Sequence, residues 1–406
     1  MPKKILLLII ILLLVAIGWY SFTWWLGKKD NATNPQNASS TVSGFFPTIG
    51  TIAQNISDNV GELINGVKTD NETGPEGELT GLLREIVRTP SPGFFIDGEN
   101  NKLVYIDHQT GNLYTLSLTD LKQKPERISS LTITDVFSFT GAIKNKKLVA
   151  VLDKISPAEE HKKITIFKQD VSSPTLTESA ELEAGAGASV VDPKTGAIYY
   201  TQNMSEESLI YKVTESGKTS LGTLPLSDWD LEISGNKLIA TTYPDPSAMG
   251  YAYSFDLSSA KKEKVLVETS NLVLRVSPDY KKIIYSAGDE KTNVLRLINK
   301  HEFTNQTLGV NTSADKCVWS NDSETIYCAA PHQKATGQNL VARQRGEVSF
   351  SDYFVSIDSN TGNSQPLNNP SELGQNIDAT NLVYADSINS IIFTNKKDLH
   401  TYLLGL

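Results

Sequence analysis

Residues 272–287 read LVLRVSPDYKKIIYSA. Two short runs rich in β-branched and aromatic residues flank a Ser-Pro-Asp-Tyr turn, the pattern of a β-hairpin. The same strand, tight turn, strand unit recurs at 93–107 (GFFIDGENNKLVYID), 137–153 (FSFTGAIKNKKLVAVLD), 187–202 (GASVVDPKTGAIYYTQ), 230–243 (DLEISGNKLIATTY), 317–330 (CVWSNDSETIYCAA) and 381–395 (NLVYADSINSIIFTN). Most units continue through a looser connection into two further strands, as in NVLRLINK at 293–300 and DYFVSID at 352–358. The repeats start near Phe94, Val136, Ala188, Leu231, Leu272, Cys317 and Leu382. A spacing of roughly forty residues is that of four-stranded propeller blades. The expected fold is all-β, a seven-bladed β-propeller over residues 79–406.

Two of the repeats resemble a known family. Ser277, Pro278, Asp279, Ile284 and Tyr285 in one blade, and Trp319, Ser320, Asp322, Ile326 and Tyr327 in another, are similar to the S-P-D-G-x-x-I-A-Y repeat of TolB-type, WD-like β-propellers. Tyr280 departs from that pattern where the family prefers Gly, and Asn321 stands for its Pro. The resemblance spans roughly 80–406 and implies a fold rather than an activity. The last repeat has only three strands before the chain reaches Leu406, whereas LLREIVR, Leu82 to Arg88, is an apolar run without a partner. It is expected to supply the outer strand of the last blade, which would close the ring and remove an open edge.

Working toward the N-terminus, a polar stalk spans 30–78. Inside it Ile49, Ile52, Ile56, Val60, Leu63 and Val67 recur at three- and four-residue steps, predicting an amphipathic helix over about 47–67. That helix would pack on its own domain, lie on a membrane or meet a partner. Residues 1–29 read as a signal-anchor transmembrane segment. The stretch Ile5–Leu26 carries no charge, and its ~22 residues suffice to cross a hydrocarbon core. Lys3 and Lys4 precede it, Trp19, Tyr20, Trp24 and Trp25 crowd its far end, and no small-x-small cleavage site follows. The expectation is a single-pass cell-membrane protein with a cytoplasmic N-terminus and an extracytoplasmic propeller.

In that compartment a disulfide is permitted. Cys317 and Cys328 are the two cysteines of the chain. Pairing Ser320 with Thr325 across the hairpin sets Cys317 opposite Cys328, at a separation a disulfide can span. A structural disulfide is the expected state, and two buried thiols are the alternative. No neighbouring ligand set completes a zinc site, and the spacing is not that of a C-x-x-C redox pair.

Chemistry-bearing motifs are sparse. TESGKTS at 214–220 has Lys212 where a phosphate-binding loop needs its first Gly, so it reads as a hairpin turn. AGAGAS at 184–189 lacks a third glycine and a following helix. No G-x-S-x-G occurs, and His108, His161, His301, His332 and His400 lie in separate repeats. DHQTG, DPKTG and DSNTG are Asp-capped turns rather than calcium loops. No catalytic residue, metal site or cofactor is assigned. The net charge of −9 and the lack of a basic patch speak against nucleic acid.

Function is expected on the loops from the second to the third strand, which share one face of a propeller. The longest is PHQKATGQNLVARQRGEVSF at 331–350, carrying Lys334, Arg343 and Arg345, and TYPDPSAMGY at 242–251 adds Tyr243, Met249 and Tyr251. These loops read either as tolerated surface insertions or, through these six residues, as the candidate binding face of a protein- or ligand-binding and assembly module. An envelope or surface protein, or a wall polymer, would be its partner. The alternative is an envelope enzyme of hydrolase or lyase type with its site in the central channel.

Overall fold

In a computed structural model of the chain, the described residues are 82–155, 162–173, 175–265 and 268–406. The predicted anchor at 5–26 and the helix at 47–67 lie outside them. No helix among the described residues is long and apolar enough to cross a membrane.

Seven four-stranded antiparallel sheets follow one another around a central channel. Blades 1 to 6 run inner to outer in chain order, and the fifth shows the plan with strands Val273–Val276, Lys282–Ala287, Val294–Asn299 and Thr304–Thr307. Blade 4 carries an additional two-stranded ribbon, Met249–Gly250 against Thr269–Ser270.

The core explains why the repeats read as they do. Buried apolar side chains form a cluster at every junction between neighbouring blades. Phe95 and Val104 of blade 1 pack on Phe139 and Leu148 of blade 2. Ile284 and Leu295 of blade 5 meet Trp319 and Ile326 of blade 6, and Leu103 of blade 1 meets Ile392 and Leu403 of blade 7. Each blade is therefore buried on both faces. Its second strand must be apolar at successive positions rather than alternately, which is the near-continuous run seen in KIIYSA and SIIFTN.

The turn motif has an equally local cause. Ser277 Oγ accepts from the Lys282 N–H at 2.9 Å and donates to Asp279 Oδ1 at 2.7 Å. In blade 6, Ser320 Oγ does the same toward Thr325 N–H, 2.9 Å, and Asp322, 2.5 Å. The fourth turn position is left-handed in both, with φ 62° at Tyr280 and 66° at Ser323, which accounts for the Gly that the repeat prefers there. Tyr280 offsets its strain by donating to Ser254 Oγ at 2.7 Å and lying beneath the ammonium groups of Lys237 and Lys300.

Ring closure follows the expectation. Leu83–Val87 pairs antiparallel with Thr401–Gly405, setting Leu83 opposite Leu404, and completes the seventh sheet.

The cysteine register also follows. Cys317, Val318 and Trp319 face Cys328, Tyr327 and Ile326, and the two sulfurs are bonded with Cα atoms 4.1 Å apart. Unfolding this domain with and without reductant is expected to show a loss of about 2–3 kcal/mol on reduction, the chain-entropy value for so short a loop. Identical denaturation midpoints would show that the bond contributes nothing.

The Asp-capped turns are structural. Asp358 Oδ1 accepts from the N–H groups of Asn360 and Thr361 at 2.8 Å each, and Gly362 takes φ 76°. TESGKTS is a hairpin, with Thr214 opposite Gly217.

Candidate functional site at the channel mouth

Chain direction sorts the connections into two faces. Inner strands run away from the face on which the second-to-third strand loops and the interblade connections lie, and the tight hairpin turns sit at the opposite end. Among the described residues, all the exposed large apolar side chains except Leu82, Val171 and Phe303 lie on the first, loop-bearing face. Met204, Leu226, Tyr243 and Met249 occupy adjacent loops of blades 3 and 4 there, each about half exposed. Leu226 and Asp228, in the link between those blades, hold left-handed backbone at φ 74° and 63°. Such strain in non-glycine residues marks a segment whose shape is imposed by its surroundings.

The same face opens into a cavity of about 470 Å³ at the mouth of the channel. Asp230, Tyr243, Arg275, Asp315 and Asn381 contribute polar lining, with Leu274 and Leu382 among the apolar lining. Two of these acids, Asp230 and Asp315, were not among the six residues proposed from sequence. Asp230 and Glu232 alternate with Trp229 and Leu231 on the inner strand of blade 4, so both leave the core face, where Trp229 and Leu231 are buried. Charged residues at alternate positions of an innermost strand were the available signal for a channel site. Arg275, on the inner strand of blade 5, reaches across to Glu232 at 3.2 Å.

Electrostatics follow from that placement. Asp230 is touched by solvent yet surrounded by protein atoms, and this partial desolvation raises its pKa against the pull of Arg275. Glu232, set deeper, is pushed up to about 7, first by burial and further by Asp230, with Arg275 opposing. For an acid raised in the folded state, the stability contribution is present below the unfolded value near 4.5 and is lost as pH climbs through about 7. A carboxyl ¹³C titration of Glu232 is expected to show a midpoint near neutrality, and the Glu232→Gln variant should lose that part of the pH dependence of unfolding. A midpoint in the ordinary carboxylate range would contradict the desolvated setting.

The six residues named from sequence are divided by the structure. Tyr243 is 56% exposed at the cavity. Its hydroxyl is pushed up to about 12 by partial burial and by Asp230, Asp228 and Asp153. Met249 is exposed on the blade 4 ribbon. Tyr251 is half-buried against the cluster containing Trp229, and its N–H donates to Thr242 Oγ1 at 3.0 Å. Lys334 and Arg345 are exposed on the blade 6 insert.

Arg343 does not reach the face. It is 3% exposed, binds Asp378 Oδ1 at 2.6 Å and donates to the Ala379 carbonyl at 2.9 Å. A cationic residue in a long loop reads as solvated, but this one is drawn inward by a buried carboxylate of the next blade.

Arg343 belongs to helix α1 (Gly337–Gln344), which the sequence reading did not foresee. The helix starts with Thr336 Oγ1 accepting from Asn339 N–H while Asn339 Oδ1 accepts from Thr336 N–H, a reciprocal cap. Its first N–H groups bond the blade 5 loop at Asp289, Glu290 and Thr292. A Cβ on Gly337 would lie 2.2 Å from the Asp289 carbonyl, so only glycine fits. At its other end Lys396 of blade 7 donates to the Arg343 carbonyl. Thus α1 bridges blade 5 to blade 7, and Gln344 at its end lines the cavity.

Beneath it lies a sealed ionic knot. Lys316 Nζ meets Asp352 Oδ2 at 2.7 Å, Asp378 Oδ1 at 2.9 Å and the Ala379 carbonyl at 3.0 Å, with all three charged side chains fully buried. Burial acts on both carboxylates. Asp378 collects two cations, Lys316 and Arg343, and these hold it at about 2, whereas Asp352 has Lys316 alone and stays above the ordinary carboxylate range. A second, shallower hollow of about 590 Å³ lies beside the insert, lined by Gln333, Ser351, Gln375 and Lys397 among others. Among the described residues no group of three or more His, Cys, Asp or Glu side chains is arranged to hold a metal ion.

Comparison with known proteins places the chain by fold. No protein family profile matches the sequence, and no curated protein does. Among solved structures, the β-propeller domain of Myceliophteria thermophila Cps50 (Swd1) superposes with a TM-score of 0.52 at 8% identity, covering 80% of this chain and 100% of that one. The propeller domain of the Trilobed protease from Pyrococcus furiosus covers 63% of this chain and 76% of its own, with 13% identity and a TM-score of 0.43. An oligogalacturonate lyase in complex with manganese covers 60% and 75%, with 13% identity and a TM-score of 0.46. At these identities the shared property is the fold. The chain is a seven-bladed β-propeller of four-stranded blades.

Proposed function

We propose that the protein is a membrane-anchored binding module that presents the loop-bearing face of its propeller on the outer side of a cell membrane. The observation that carries this reading is the concentration of exposed apolar side chains on one face, one of which, Tyr243, lines the channel-mouth cavity. Exposed apolar side chains gathered into a patch mark interaction surfaces, whereas single ones do not. The uncharged run Ile5–Leu26 supports the anchor, and the disulfide suits an oxidising exterior. Lys334 and Arg345 on the insert and Asp228 and Asp230 at blade 4 put both signs of charge on the face, which would suit a partner of mixed charge. An envelope or surface protein is the expected partner.

In-cell crosslinking and capture of the full chain tests this. A partner should be recovered with the native protein and lost with the Met204→Glu, Met249→Glu variant. Recovery of no partner by the native chain, or equal recovery by both, would overturn the reading. A second reading, a channel enzyme of hydrolase or lyase type, is favoured by one observation, the near-neutral Glu232 beside Arg275. It predicts turnover abolished by Glu232→Gln, in a screen of envelope glycans and peptides.

A further inference from the structure

We propose that the channel mouth seats a single arginine side chain of a polypeptide partner, with its guanidinium stacked on Tyr243 and bonded to Asp230. This rests on the binding-module reading and names the chemistry that its site would recognise.

The charges at the mouth do not balance. Arg275 is occupied by Glu232 at 3.2 Å, and Asp153 is paired with Lys162 at 2.9 Å. Asp315 faces Arg343 at 3.8 Å. Asp230, by contrast, accepts only the N–H of its own neighbour Leu231, at 3.0 Å, and no cation among the described residues stands at ion-pair distance from it. Asp228 accepts the amide of Asn203 at 2.8 Å and is likewise without a cation among those residues. Asp230, with no cation at ion-pair distance among the described residues, therefore lines the same cavity as Tyr243, and Asp228 lies two residues before it in the link between the blades.

An exposed aromatic ring beside free carboxylates selects a cation over an anion and favours a flat one. A guanidinium lies on a ring face while its edge donates two parallel hydrogen bonds to a carboxylate. An ammonium offers the charge without the stacking plane. The loop that carries Tyr243 is anchored at its root, where Thr242 exchanges hydrogen bonds with Tyr251. The exposed apolar side chains Met204, Leu226 and Met249 on the loops of blades 3 and 4 are what separate a polypeptide source from a free polyamine. Those side chains offer nothing to a soluble cation, but they would cover the apolar neighbours of an arginine in an extended segment.

The test uses the full chain in detergent micelles and a fluorescein-labelled peptide, acetyl-Leu-Arg-Leu-amide, with its citrulline counterpart as the uncharged isostere. Fluorescence anisotropy should show the arginine peptide binding about 10-fold more tightly than the citrulline peptide, the value of one charge-assisted bidentate contact. Asp230→Asn and Tyr243→Ala should each erase most of that preference, with unfolding temperatures unchanged because neither side chain is buried in a core cluster. Equal binding of the two peptides, or no binding of the arginine peptide at millimolar concentration, would overturn the proposal. Spermidine binding as tightly as the peptide would also overturn it and point to a polyamine site. The capture experiment above perturbs the apolar side chains of the face and leaves Asp230 in place. A cellular partner lost with Met249→Glu but retained with Asp230→Asn would therefore reject the arginine seat alone and leave the binding module standing.

Discussion

Replacing Lys316 with alanine is expected to destabilise the domain by about 3–5 kcal/mol, the cost of leaving a buried charge without its partner. Lys316 is fully buried, and its ammonium is shared between Asp352 and Asp378. Without it, Asp352 retains only the Ala379 N–H at 2.7 Å on one oxygen, and its other oxygen has no partner even in the native knot. Asp378 would keep Arg343, so Asp352 should take up a proton first. Lys316→Met separates charge from volume. It refills the space and should still lose most of the stability, whereas full rescue by methionine would show that packing was the cause. Lys281, whose partner Asp279 lies 3.4 Å away but which is 66% exposed, supplies the control. Its removal should cost about 0–1 kcal/mol, as for other exposed pairs. The measurement is the urea midpoint of each variant at neutral pH. Because the knot joins blade 6, α1 and blade 7, its loss should also loosen α1, read as faster hydrogen exchange over residues 337–344.

The second large effect concerns ring closure. A chain truncated to residues 89–406 should lose cooperative unfolding. It lacks the strand whose Leu83 and Val87 are buried in the junctions of blade 7 with blades 6 and 1. It also exposes the open edge of Thr401–Gly405, and an unpaired edge of that kind promotes association. Burial of Leu83 and Val87 alone accounts for roughly 3–6 kcal/mol, before the lost backbone pairing is included. Adding a synthetic peptide of residues 80–90 to the truncated chain should restore a single transition and suppress the aggregates. A truncated chain that unfolds like the native one would show that the ring is held without its closing strand.

Much of this architecture was legible because each blade repeats one local solution. The S-x-D turn, the apolar second strand and the hairpin register can be read from a few adjacent residues. The pairing of Cys317 with Cys328 followed from counting outward from a single turn. Closure was legible by deficit, since the last repeat lacked a strand and Leu82–Arg88 lacked a partner. The candidate face was legible only as loops. Their lengths placed Tyr243 and Met249 in long connections, and both are exposed there.

Arg343 was misplaced by the ordinary assumption that a charge in a long loop is solvated. Its partner Asp378 lies 35 residues further on and in another blade. Lys316, Asp352 and Asp378 escaped notice for the same reason, because no local pattern links charges that meet only when two blades stack. The cavity acids were closer to hand. In DWDLEIS the alternation of Asp230 and Glu232 with buried Trp229 and Leu231 shows one strand face turned away from the core, and on an innermost strand that face borders the channel. The helix in the insert left little trace, being a short segment that begins with glycine and whose apolar content is too small to set a period.

The central claim is that partners are met by the loop-bearing face. It is tested most directly by placing the photo-crosslinking residue p-benzoyl-phenylalanine at single positions in cells. At Met249, exposed on the blade 4 ribbon of that face, irradiation should yield a discrete heavier adduct. At Phe303, 93% exposed on the opposite face, it should yield none. Adducts from Phe303 and none from Met249 would contradict the account and move the interaction surface to the other end of the propeller.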